Sequence, residues 1–288
     1  KAAKAVTILE PLGHCYRNWL YHDYWNTVAD CDPLYAAAHD STLPLEWKRH
    51  LCESAFRKDT AERAAMLQNY WGGGRYHPST DSISTLSGLC LAYDLVYNAH
   101  NSNGEPLWTP TMRRRVEGDL ILEWVMGAES YLGGPYHADR HNNKTPRIYY
   151  AMATAAKCLG LPKLADTAMR GYEAVRDKSF NYDGFSHESP AYNNMYLAML
   201  LGVPEVLHDF EWPEGFGRSG DLYATDQRLQ LMYRAVVDQL QPNGYYLPLE
   251  DTNIAARPTP RIIEYGRRRY PEYFAGAMTR VRPGRAPG

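Results

Sequence analysis

The sequence predicts a mostly α protein: an (α/α)n toroid, an incomplete α/α barrel of antiparallel helix pairs with few or no strands. Three observations carry this. Apolar residues recur at helical spacing in one segment after another. Several of those segments open on a proline, at Pro110, Pro146, Pro162 and Pro190, a residue favoured at the first helical position because its missing N–H has no partner there. Alternating patterns are scarce, with VTIL at 6–9 and GYYLPL at 244–249 the best strand candidates.

The segments follow in order. Residues 43–71 read as a first long helix that stops at Gly72-Gly73-Gly74. Ser79-Thr80-Asp81 cap a second, 82–100, which ends at the turn-rich NSNGEP. Thr109-Pro110 start a third through 132, closed by Gly133-Gly134-Pro135. Thr145-Pro146 start a fourth through 160, Pro162 a fifth through 180 and Pro190 a sixth through 203. A seventh spans 222–240 and an eighth 259–269. No composition break marks a second domain, so residues 1–280 read as one catalytic domain and 281–288 as a Pro/Gly/Arg-rich tail. A series of amphipathic helices forms a solenoid or a closed barrel. No repeat of fixed period with shared signature residues appears, which argues against TPR, ankyrin or HEAT arrays.

Composition narrows the class. The 288 residues are 44% hydrophobic and 22% charged, an ordinary globular balance that excludes collagen, coiled coil and disorder. No stretch approaches the ~20 apolar residues of a membrane helix. A net charge of −2 gives no basic field for sequence-independent nucleic-acid binding. Tyr 23 and Trp 7 stand against Phe 6. Rings with a polar edge suit a wide polar cleft better than a dry pocket. The opening KAAKAVTILEPLGHCY carries no signal peptide. The five cysteines show no CxxC spacing, so zinc is not expected. Cys90 and Cys158 sit in apolar helical runs as core thiols, and Cys15 and Cys31 are a possible pair.

The polar, aromatic chemistry sits in the links. Residues 133–147, GGPYHADRHNNKTPR, hold Tyr136, His137, Asp139, Arg140, His141, Asn142, Asn143, Lys144 and Arg147 just before a helix. Amide side chains and helix N-terminal N–H groups receive a carboxylate well. Residues 183–196 place His187 and Glu188 ahead of a helix, with Tyr192 and Tyr196 four apart on one face. A loop histidine beside a helix-start tyrosine is a plausible proton-transfer pair, while a core-packing reading of both tyrosines stays open. Residues 244–253 carry adjacent Glu250 and Asp251. Neighbouring residues rarely face one site together, so a cap at Asp251 or Thr252 fits better than an acid/base pair. In a toroid, alternate links share one face, so Tyr76, Tyr136, Tyr192, Tyr196, Tyr245 and Tyr246 would rim one cleft. The spacing of His137, Asp139 and His141 matches no metal motif, and neither a metal nor a cofactor is expected.

In this order the segments resemble the α/α-toroid polysaccharide lyases, the heparinase II/III-like and alginate lyase group. The likeness rests on LAYDLVYNAH at 91–100, HNNKTPRIYYAMATAAKCLG at 141–160, DGFSHESPAYNNMYLAML at 183–200 and YLPLEDTN at 246–253. It spans roughly residues 45–275. The resemblance implies β-elimination on a uronic-acid polysaccharide, in a secreted or periplasmic setting, with an acidic polysaccharide or oligosaccharide as partner and neither nucleic acid nor membrane. Asn142 would neutralise the substrate carboxylate and so stabilise the enolate-like intermediate. Tyr192 would act as base, acid or both. A phenol titrates near ~10 in water, so a phenolate base needs cations beside it. Arg140, His141, Arg147 and His187 are the candidates. Relatives often read Asn-His where this chain reads His141-Asn142-Asn143, so the second neutralising residue is Asn143 or His141. Substrate contacts fall to Arg140, His137, Tyr136, Glu188, Tyr196, Tyr76, His77 and Tyr246. The C-terminal β-sandwich common in relatives is not present in these residues. Two rivals stay open: a glycoside hydrolase on a similar barrel, with Glu188, Asp183 or Asp81 as paired carboxylates, and a non-catalytic glycan-binding toroid.

Overall fold

The computed structural model describes residues 1–16, 81–125, 143, 145–218 and 220–275. The helix expected over 43–71, the tail at 281–288, Cys31 and Cys52 lie outside the described residues. Among the described residues the chain is mostly helical and no strand is formed. The helices are α1 (Ala2–Tyr16), α2 (Asp81–Val96), α3 (Pro110–Arg114) continuing into a π-helix (Arg115–Leu122), α4 (Thr145–Leu159), α5 (Pro162–Ser179), α6 (Pro190–Leu200), α7 (Gly202–Val206), α8 (Leu222–Thr225), α9 (Gln227–Asp238), α10 (Pro260–Arg269) and α11 (Pro271–Phe274). The chain divides into two compact units, Lys1–Ala138 and Asp139–Gly288, where the sequence predicts one domain over 1–280.

In the first unit, α1 corrects the strand expected at 6–9. Val6, Leu9, Gly13 and Tyr16 are its buried residues, and that three-and-four spacing is a helix face. Tyr16 stacks on Trp124, centroids 5.0 Å apart. Helix α2 buries Leu86, Cys90, Tyr93 and Val96, again at helical spacing. The Trp108 indole donates to the Val96 carbonyl at 2.8 Å, closing the helix end. The third predicted helix starts on schedule: Thr109 caps it, accepting from the Met112 N–H, and Pro110 follows. It then widens into the π-helix, where the Glu123 N–H reaches the Gly118 carbonyl five residues back. Val116, Leu120 and Ile121 form its buried side.

In the second unit, α4 and α5 are joined by two residues and pack along their length. Small residues allow this. Ala151, Ala155 and Ala156 of α4 and Ala165 and Ala168 of α5 are all fully buried, and a Cβ on Gly171 would collide with the Tyr149 ring. Helices α6 and α7 pack on α4, and α10 packs on α6. The core is filled by Ile148, Met152, Tyr172, Leu197, Met232, Tyr233, Ile262 and Phe274. Two predicted helices are broken. The sixth ends at Leu200, because Pro204 has no N–H for the carbonyl four residues earlier. The seventh is interrupted at Asp226, whose side chain accepts the Leu229 N–H at 3.1 Å and caps α9. Cys158 is half-buried and Cys15 exposed.

Among the described residues one turn occurs three times. Isolated antiparallel bridges join His100 to Pro106, Phe180 to Ser186 and Leu240 to Tyr246; the last replaces the strand expected at 244–249. Inside each, Asn101, Asn181 or Gln241 donates its N–H to the carbonyl four residues on, at 2.8, 2.7 and 2.9 Å. The carbonyl of that same residue accepts from Gly104, Gly184 or Gly244 at 3.1, 3.0 and 2.9 Å. These glycines hold φ of 81°, 87° and 80°, the left-handed region where a side chain is strained. Each turn leads to a helix opened by proline, at Pro110, Pro190 and Pro260. The shared signature is Asn/Gln-x-Asn/Asp-Gly, at unequal spacing, so a search for a fixed period passes over it.

Candidate active site

Two of the three chemically dense links meet at the start of α6. Ser189 caps the helix, its hydroxyl accepting from the Tyr192 N–H at 3.4 Å, and Pro190 takes the first helical position. Tyr192 therefore sits in the first turn, half-buried, behind the exposed His187 and Glu188. The later link closes on this turn from outside. Thr252, 5% exposed, accepts the Ala191 N–H at 3.0 Å. Asn194 accepts from the Tyr246 hydroxyl at 3.2 Å and from the Thr259 N–H at 2.9 Å, and donates to the Thr259 hydroxyl at 3.0 Å. The expected cap at Thr252 is thus a cap for a different helix.

The exposed groups here are His187, Glu188, Glu250, Asp251 and Arg257, with Tyr245 half-buried. Arg257 lies over the Tyr245 ring, 4.0 Å from its centroid, and hydrogen-bonds its hydroxyl. Glu250 holds a positive φ of 49°, the strained backbone often found at functional loops. Asp183 is occupied by the turn, accepting the Phe185 N–H at 3.1 Å, which weakens its place in a carboxylate pair.

Two substrate-contact expectations are corrected. Tyr196 and Tyr246 are each 1% exposed, so neither ring can stack on a sugar. Tyr196 packs edge-on against Phe180 and donates to the Ser179 hydroxyl at 3.0 Å. Burial pushes its phenol up to about 12, with the Ser179 hydrogen bond lowering it and the Glu188 charge adding to the rise. Burial likewise raises Tyr246.

Of the carboxylate-receiving link, Asn143 is a half-buried turn residue and Arg147 lies half-buried in the first turn of α4. Helix α4 packs against α6. Tyr76, His77, Tyr136, His137, Arg140, His141 and Asn142 lie outside the described residues. Among the described residues no group of three His, Cys, Asp or Glu is placed to hold a metal ion, and no helix is long and apolar enough to cross a membrane.

Three features escape the sequence reading. Arg257 and Asn194 belong to the closed loop around α6. Asn193, 2% exposed beside Tyr192, carries a buried side-chain oxygen with no hydrogen-bond partner among the described residues. The Asn193-Asn194 pair in a helix start, where amide side chains compete with backbone hydrogen bonds, is the one signal in the sequence. Comparison with known proteins finds no family model, no curated protein and no solved structure that matches this chain.

Proposed function

We propose that this protein is a polysaccharide lyase that cleaves a uronic-acid polymer by β-elimination, on an α/α toroid. The observation that carries the reading is the placement of Tyr192. It stands half-exposed in the first turn of α6, a few residues along the chain from exposed His187 and Glu188, on a helix packed against the one whose first turn holds Arg147. The recurring turn between helices supports a repeating helix-pair architecture.

In this reading Tyr192 removes the C5 proton and returns one to the leaving O4. The C5 proton is not acidic while the adjacent carboxylate is ionised, since abstraction stacks negative charge. Hydrogen-bond donors on that carboxylate must take up the charge. Asn142, with Asn143 or His141, supplies amide and imidazole donors, and Arg147 adds a cation. His187 assists the proton movement and Glu188 contacts the sugar. The step needs no cofactor. The polymer is an extracellular material, which suits a secreted or periplasmic enzyme.

The test is incubation with alginate, glucuronan, heparan sulfate, chondroitin and hyaluronan, following the ultraviolet absorbance of a C4–C5 double bond. Rising absorbance with shortening chains is the expected result. Shortened chains without absorbance indicate hydrolysis. Retention on a polymer with no product indicates a binding toroid. Either overturns the lyase reading.

A further inference from the structure

A cavity lies at the far end of the α6–α7 run from Tyr192, with Pro204 and Leu207 in its wall. Its volume is about 490 Å³, within the roughly 300–1,000 Å³ of small-molecule sites. Its wall includes Phe210, Trp212, His208, Arg218, Asp221 and Tyr223. Phe210 meets Trp212 edge-on at 4.9 Å. The surface is therefore aromatic on one side and polar on the other.

The arginines around it are paired with carboxylates, while Asp221 keeps a largely exposed carboxylate. Arg218 donates to Asp166 at 2.6 Å and to Glu173 at 2.9 Å. Glu205, behind Tyr223, holds Arg268 at 2.7 Å and Arg269 at 2.8 Å and accepts the Tyr223 hydroxyl at 2.9 Å. His208 contacts Asp209 at 2.6 Å and lies 3.9 Å from Asp221. An anion meets Arg218, the arginine of the described wall, with two carboxylates already on it. An ammonium finds the Trp212 ring shared with the Arg218 guanidinium, 5.5 Å from its centroid, and is repelled there. What suits the wall is an uncharged molecule with an apolar face and hydroxyl edges. The aromatic pair takes the face. Asp221, with its side chain 55% exposed, and the His208 ring take the hydroxyls.

We propose that this cavity binds a neutral pyranose sugar, at a site separate from the α6 start. The chemistry differs from that of a uronate cleft, because the arginine of the described wall already carries two carboxylates. The proposal stands whether or not the protein is a lyase.

The test is a titration of the isotopically labelled full chain, followed through its indole N–H resonances. Trp212→Phe removes one of the resonances from the 7 tryptophans and so assigns it. The probes are methyl β-glucoside, methyl β-galactoside and methyl α-mannoside, with glucuronate and choline as charged comparators. At least one neutral pyranoside is expected to move the Trp212 resonance saturably at millimolar concentration. The charged probes are expected to need at least tenfold more. Asp221→Asn, which keeps an acceptor for the Tyr223 N–H, is expected to weaken the sugar about tenfold. No movement with any neutral pyranoside, or equal movement with glucuronate or choline, overturns the proposal.

Discussion

The hydroxyl of Thr252 accepts the backbone N–H of Ala191 at 3.0 Å, so a loop 61 residues further along the chain satisfies the start of the helix that carries Tyr192. The first N–H groups of a helix have no partner within it. Here an acceptor is supplied from a later link.

Thr252→Val keeps the shape and removes the acceptor. A buried donor left unpaired costs about 1–3 kcal/mol. The urea midpoint should fall accordingly, and Thr252→Ser should recover most of the loss. A Val variant as stable as the parent shows that the contact contributes nothing.

Tyr192→Phe addresses the proposed chemistry. Loss of a proton-transfer group lowers turnover by about 100-fold or more. Stability should stay within about 0.5 kcal/mol, the usual range for a surface change. Product absorbance on the responsive polymer and a thermal melt check both. Full activity in the Phe variant removes Tyr192 from the reaction.

The recurring turn gives a paired comparison. Alanine at Gly104 meets nothing within 4 Å, but adopts a φ of 81°, a cost of about 1–2 kcal/mol. Alanine at Gly184 bears the same strain and also runs into the Leu231 carbonyl, adding about 1–3 kcal/mol of overpacking. Chemical denaturation of the two variants should rank Gly184→Ala as the more damaging. Equal losses show that the Leu231 backbone yields freely.

Alkali should reveal the buried phenols. Burial holds Tyr196 up to about 12 and also raises Tyr172, Tyr223, Tyr233, Tyr246 and Tyr270. A raised value means that the folded chain holds these protons more tightly than the unfolded chain, where a phenol titrates near ~10. Their contribution to stability is complete below about pH 10 and is lost as pH climbs from there toward the folded values. Tyrosinate absorbance should rise in two stages as the pH climbs. A second, cooperative rise should coincide with the loss of helical circular dichroism. A single smooth rise near pH 10 with helicity intact contradicts this.

Helix starts were legible in the sequence because proline and its preceding cap act locally. Pro110, Pro162, Pro190 and the start after Thr259 all fall where the pattern puts them. VTIL misleads because four residues favouring extended backbone hide a helical face that emerges only over the 15 residues of α1. The tyrosine spacing of α6 shows that Tyr192 and Tyr196 share a side. Which of the two is covered depends on Phe180 and Ser179, from the preceding helix and turn. The clasp by Thr252 and Asn194 is a tertiary contact with no local signature. So are the carboxylates around Arg218, 52 and 45 residues away.

The π-helix at Arg115–Leu122 has a consequence for register. A wider turn absorbs one residue more than an α-helix of the same rise, which makes it equivalent to a single-residue insertion accommodated without a loop. Everything after it is rotated by about 100° relative to an uninterrupted α-helix. Trp124, which stacks on Tyr16, lies just past this segment. Excising one residue between Val116 and Leu122 would restore ordinary winding, so the phase of this helix is set by chain length as much as by side-chain chemistry.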